Sequence, residues 1–116
     1  MSRLEGLTAT VVKALGDIKG LDIKVLEVEA LTPLTSRMVI CSGTSARQVR
    51  ALADNVMQEA RHFGYRLRGA EGLQQSEWVL VDLGDVVVHV MQIQTRALYQ
   101  LEKLWDTGMR LQVAAR

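Results

Sequence analysis

Trp78-Val79-Leu80-Val81-Asp82-Leu83-Gly84-Asp85-Val86-Val87-Val88-His89-Val90-Met91 (WVLVDLGDVVVHVM) is the stretch whose reading decides the fold. Two β-branched runs flank a Gly-Asp dipeptide, the composition of a tight β-hairpin. A turn at Gly84-Asp85 pairs Leu83 with Val86, Asp82 with Val87, Val81 with Val88, Leu80 with His89, Val79 with Val90 and Trp78 with Met91. Alternate strand residues point to opposite sides, so one face holds only Val79, Val81, Leu83, Val86, Val88 and Val90, a set that belongs in a core. The other face holds Trp78, Leu80, Asp82, Val87, His89 and Met91. A fully buried face disfavours an ionised aspartate, and a solvated one has no need of Trp, Met and two aliphatics together, so the mixture suits a protein-docking surface. The competing reading covers this face with a second helical layer and makes His89 a satisfied core histidine. Glu71, Glu77, Asp82 and Asp85 place negative charge around the hairpin, which favours a basic partner.

C-terminal to the hairpin, Leu98, Leu101, Leu104 and Trp105 recur at helical spacing and predict a closing helix from Thr95 to Trp105, with Asp106-Thr107-Gly108 ending it and a frayed tail from 109. On the N-terminal side, Gly69 to Gln75 reads as a loop and Tyr65 to Arg68 as a short strand. Ser45, with Gln48 three positions on, forms a capping-box pattern, and Gly64 supplies a stop; Val49, Leu52, Ala53, Val56, Met57, Ala60 and Phe63 make the apolar stripe of the helix between them. The charged row Arg47, Arg50, Asp54, Gln58 and Arg61 reads as its solvated face. Met38 to Cys41 has the apolar run of a buried strand, and Asp22 to Glu29 alternates like another strand, separated from it by a connection holding Pro33. Leu4, Leu7, Val11, Leu15 and Ile18 line one face of a helix over residues 3–17, with Ser2 as its cap. This order predicts an α/β fold: a single domain spanning 1–116, a mixed β-sheet and flanking helices covering at least one face.

With 116 residues and 48% hydrophobic content the chain suffices for one core. Fourteen Lys and Arg against thirteen Asp and Glu argue against nucleic-acid binding by bulk charge, so little or no direct RNA binding is expected. One cysteine excludes an internal disulfide, and with two histidines it falls short of a zinc ligand set. The first fifteen residues lack the apolar run of a signal peptide, and no 18-residue apolar stretch follows, so a cytoplasmic protein without membrane contact is expected.

Candidate chemistry is sparse. Ser42-Gly43-Thr44-Ser45 opens a helix, as phosphate-binding loops do, but lacks the P-loop lysine and spacing. Nucleotidyl transferases pair such a Gly-Ser element with carboxylates that hold Mg²⁺; Asp82 and Asp85 are the nearby candidates, and in the hairpin register one projects from a strand face while the other sits in the turn. Cys41 with His89 has the residue types of a nucleophile and base, yet an apolar strand makes Cys41 a packing residue. His62, near the end of its helix, complements the helix dipole. No catalytic, metal or cofactor residue is assigned.

The segments from Asp22 (DIKVLEVEALT), from Ser42 (SGTSARQVRALADNV), Glu71-Gly72, the hairpin, and from Tyr99 (YQLEKLW) together resemble the Iojap family, whose bacterial members are ribosomal silencing factors. The resemblance covers about residues 22–105 in several ungapped blocks. It implies a nucleotidyltransferase-like scaffold without its catalytic carboxylates. It further implies binding to the large ribosomal subunit through its universal protein fourteen, a basic protein of the intersubunit face, and blocked joining of the small subunit, with translation repressed when nutrients are short. Positions matching the family's surface motif are Trp78, Leu80, Asp82, Gly84, Asp85 and His89, with Tyr99 and Trp105; Val87 and Met91 join them from the register. Some relatives serve large-subunit assembly, and some free forms pair as homodimers. Ser36-Arg37 departs from an acidic-aromatic pair common among relatives, and Met91 often has Phe as its counterpart.

Overall fold

The computed structural model describes residues 2–103. Helix α1 (Arg3–Asp17) starts at Ser2, whose hydroxyl accepts the Glu5 N–H while the Glu5 carboxylate accepts the Ser2 N–H, so a reciprocal box satisfies two of the free donors of the first turn. It is followed by β1 (Leu21–Glu27), β2 (Arg37–Gly43), α2 (Ala46–His62), β3 (Gly69–Glu71), β4 (Trp78–Asp82), β5 (Val86–Gln92) and α3 (Ile93–Tyr99). The five strands form one mixed sheet in the order β1-β2-β5-β4-β3; only the central pair β2 and β5 is parallel.

The hairpin has the register expected from its sequence, Trp78 to Asp82 lying opposite Met91 to Val87. Leu83 N–H donates to the Val86 carbonyl at 2.9 Å and closes a two-residue turn. Gly84, at φ +86°, takes the left-handed position of the connection, which glycine adopts without a Cβ penalty. Leu7, Val11, Ala14 and Leu15 of α1 and Val49, Leu52, Ala53, Val56 and Ala60 of α2 pack on one sheet face, against Val39, Cys41, Val79, Val81, Val86, Val88 and Val90. On the other face lies a smaller cluster, Val28, Met38, Ile40 and Met91, against which Trp78 and Leu101 pack. Strand β2 is therefore buried on both sides, which is why its sequence is an unbroken apolar run rather than an alternating one.

Four details differ from the sequence expectation. Ser45 caps α2 by accepting the Gln48 N–H, but the Gln48 side chain does not complete a box: Oε1 accepts from Thr44, and Nε2 donates to the carbonyls of Ile18 and Lys19 at the end of α1. The acceptor that a box needs is thus spent one residue earlier, on Thr44, while the amide N–H groups tie α2 to the end of α1. Phe63, counted in the apolar stripe, is the C-cap of α2 and 61% exposed, beyond the last buried turn. Strand β3 falls at Gly69–Glu71, not at Tyr65–Arg68; Tyr65 N–H instead returns to the Ala60 carbonyl and its ring lies under Arg3, so pairing with β4 starts only once Arg68 N–H reaches the Asp82 carbonyl. The closing helix begins two residues early and stops at Tyr99, because Gln100 is left-handed at φ 50°; helical geometry resumes over 101–103. Leu98 is 76% exposed and not part of a core stripe. Leu104, Trp105 and the tail lie outside the described residues.

Gly64 and Gly72 are both left-handed, but a Cβ on Gly64 meets open space whereas one on Gly72 runs into the Trp78 carbonyl. Gly64→Ala is expected to cost about 1 kcal/mol of backbone strain, and Gly72→Ala clearly more. Urea unfolding of both variants reads the difference as the steric contribution.

Candidate protein-docking site

The face of the hairpin turned away from α1 and α2 carries the residues singled out from sequence, and the structure divides them. Trp78, Leu80, Asp82 and Val87 are partly exposed, Asp85 is exposed in the turn, and Gly84 beside it is partly exposed. Met91 is fully buried in the second cluster, so it supports the face and is not presented on it. His89 is 6% exposed. The face is thus divided: chain covers its Met91 end, and Trp78, Leu80, Asp82 and Val87 stay partly open.

Trp78 is the centre of a three-ring group. Its indole N–H donates to His89 Nδ1 at 3.0 Å, and the Tyr99 ring, carried by α3, lies 5.0 Å from it at 52°. Trp78 and His89 are diagonal neighbours across β4 and β5, within reach of aromatic side chains. Tyr99 is 58% exposed, so the group presents two aromatic rings to solvent. At the other end of the hairpin, Asp82 Oδ1 accepts the Gly84 N–H at 2.9 Å, which holds the turn. Four residues of strand separate the two ends, about 13 Å. Glu71, Glu77 and Asp85 are exposed, and none of them or Asp82 forms an ion pair among the described residues.

Sequence reading missed Arg96, an 8% exposed arginine that anchors α3. Its guanidinium donates to the Ser42 hydroxyl at 2.9 Å, to the Asp22 carbonyl at 2.7 Å and to Glu102 at 2.9 Å. Burial pushes the Glu102 carboxyl up, but its own backbone N–H, Arg96 and Lys24 outweigh that and hold it below the usual range. The anchor fixes the helix that delivers Tyr99. Only an arginine within a helical stretch hinted at it.

The alternative chemistries find little support in the geometry. In the Ser42–Ser45 loop, Thr44 N–H is bonded to Gln48 and the Ser42 hydroxyl to Arg96. Asp82 is committed to its turn, and among the described residues no three His, Cys, Asp or Glu converge as metal ligands. Cys41 points to the helix face and His89 to the opposite one, and burial pushes the Cys41 thiol up to about 11, which leaves it protonated. Among the described residues no helix is long and apolar enough to cross a membrane.

The chain is thus an α/β domain whose mixed sheet carries helices α1 and α2 on one face and leaves an acidic, aromatic patch partly open on the other. The chain matches, over residues 2–115, the family described as "Ribosomal silencing factor during starvation". It is 43% identical over 99 residues to the ribosomal silencing factor RsfS of Haemophilus influenzae, covering 85% of this chain and 97% of that one. A crystal structure of a protein from Chromobacterium violaceum superposes with a TM-score of 0.88 at 44% identity, covering 90% of this chain and 87% of that one. The mouse protein named "Mitochondrial assembly of ribosomal large subunit protein 1" is 37% identical over 87 residues, covering 72% of this chain and 38% of its own length. The chain belongs to the ribosomal silencing factor family.

Burial lowers His89 from its ordinary value to about 4. The unfolded chain therefore binds one more proton than the folded one between about pH 6.5 and pH 4, and the stability His89 contributes above 6.5 is lost as pH falls through that window. Urea unfolding free energies of the parent should decline there with a slope approaching one proton, and His89→Gln should remove that slope.

Proposed function

We propose that this protein binds the large ribosomal subunit through its universal protein fourteen and silences it by occupying the surface that the small subunit needs. The observation that carries the reading is the half-open sheet face: Trp78, Leu80 and Val87 lie beside the carboxylates of Asp82 and Asp85, neither of which has a counterion among the described residues, with Tyr99 against Trp78. Aromatic anchors with a charged rim suit a protein partner, and the sign of the rim suits a basic one. Family membership supports the ribosome as the setting, and the names of the bacterial relatives favour the cytoplasm as the compartment.

Occlusion needs no chemistry, so the protein acts as a stoichiometric regulator and not as an enzyme. At a free concentration about a hundredfold above Kd, mutually exclusive binding weakens subunit joining by about 2.7 kcal/mol, near a hundredfold. Competition for one surface is reciprocal, so excess small subunit displaces the protein. The printed name of the mouse relative favours a second reading, a role in large-subunit assembly on the same docking face.

Light scattering of purified subunits should show joining inhibited by the parent and restored by a salt wash. Trp78→Ala should lose capture of large subunits, at a cost of about 2 kcal/mol or more. Because Trp78 also packs on the second cluster, folding of the variant is checked by circular dichroism. Asp82→Lys and Asp85→Lys should weaken capture and flatten its salt dependence. Stable co-binding of this protein with joined subunits would exclude occlusion and leave assembly. Nucleotide turnover with Mg²⁺ that disappears in Asp82→Ala would overturn the binding-only reading.

A further inference from the structure

The indole of Trp78 has a proton to donate and no acceptor, so the 3.0 Å contact with His89 requires an unprotonated Nδ1. A neutral imidazole with a bare Nδ1 carries its proton on Nε2. Burial keeps the ring neutral, its value lying near 4. Nε2 has no hydrogen-bond partner among the described residues, and His89 forms part of a shallow hollow lined by Glu71, Gly72, Trp78, Leu80 and His89 itself. His89 is 6% exposed, and the surface it keeps lies in this hollow, whose mouth is open to solvent and so to a partner.

We propose that His89 offers Nε2–H in this hollow as a hydrogen-bond donor to a main-chain carbonyl oxygen of the docking partner. The assignment rests on the docking reading above and names the contact chemistry at its centre. A carbonyl is favoured over an anionic acceptor because the exposed Glu71 carboxylate on the rim repels carboxylate and phosphate, while it attracts a Lys or Arg beside the carbonyl. The hollow therefore selects a basic segment that approaches backbone-first, with its cationic side chain beside Trp78 and Glu71. Trp78 acts twice here: its ring is the apolar wall, and its N–H sets the tautomer that makes His89 a donor.

Long-range ¹⁵N correlation spectra of the free protein decide the tautomer without any partner: the Nε2-protonated form is expected at neutral pH, and the Nδ1-protonated form would overturn the proposal. Capture of purified large subunits then tests the donor. His89→Asn places an amide oxygen near the Nδ1 position and keeps an acceptor for Trp78, but offers nothing at Nε2; His89→Gln carries its amide N–H to the Nε2 position. His89→Asn should bind roughly 2- to 12-fold more weakly than the parent, the span of one neutral hydrogen bond, with His89→Gln between the two. The Trp78 indole resonance reports whether the Asn variant keeps its ring in place. Parent-like capture by His89→Asn with that resonance unmoved would also overturn the proposal. Parent-like capture by Trp78→Ala would overturn the docking reading and the carbonyl contact with it, a failure distinct from a wrong tautomer.

Discussion

The register of the β4–β5 hairpin is the constraint on which the rest of the molecule depends. Strand side chains alternate, so a slip of β4 by one residue against β5 would carry Val79 and Val81 off the core face and bring Trp78 and Asp82 under the helices. The turn prevents it: Leu83 N–H meets the Val86 carbonyl, Gly84 takes the left-handed position, and Asp82 ties the turn through Oδ1. Strand β5 then hands its register to β2, placing Ile40 beside His89 and Cys41 beside Val90. Both clusters and the docking face follow from that one alignment.

How far this was legible in sequence depends on the range of the interaction involved. The hairpin was readable to the residue pair because its turn chemistry and its alternation are local and agree. Helix α1 was readable for the same reason, its cap and its stripe pointing to one answer. Where a residue had two options, spacing alone did not say which it would take. The Gln48 Oε1 that a capping box would use is spent on Thr44 while Nε2 reaches the end of α1, and Tyr65 closes the left-handed end of α2 at Gly64 and leaves strand pairing to Gly69–Glu71. Gly64 marked the end of the helix but not the role of the residue after it. The interruption at Gln100 is similar, since a left-handed non-glycine residue has no sequence signature and follows from how α3 is anchored by Arg96.

The candidate site was legible in membership and illegible in depth. Alternation assigns Trp78, Leu80, Asp82, Val87, His89 and Met91 to one side, but burial on that side depends on what later chain lies across it. Leu101 and the segment after β1 cover the Met91 end, so Met91 lies beneath the surface its neighbours present, and His89 lies low against the Trp78 ring. The link between Trp78 and His89 was accessible in principle, because diagonal cross-strand neighbours of aromatic size meet. The third ring was not: Tyr99 comes from α3, whose position depends on the Arg96 contacts to β2 and the start of β1.

The same constraint bears on why the proposed docking reading fits this face better than a catalytic one. A nucleophile, base or metal cage needs polar groups that converge and remain available. Here the polar groups near the sheet are spent on structure: Asp82 on its turn, Ser42 on Arg96, Thr44 on Gln48 and His89 Nδ1 on Trp78. What stays free is of another kind, half-exposed apolar area and carboxylates without counterions. Such groups gain from a partner that brings apolar surface and positive charge together. They also sit on paired strands whose register is locked, so in the proposed docking they would be held in place before a partner arrives and little ordering cost would fall on the binding step.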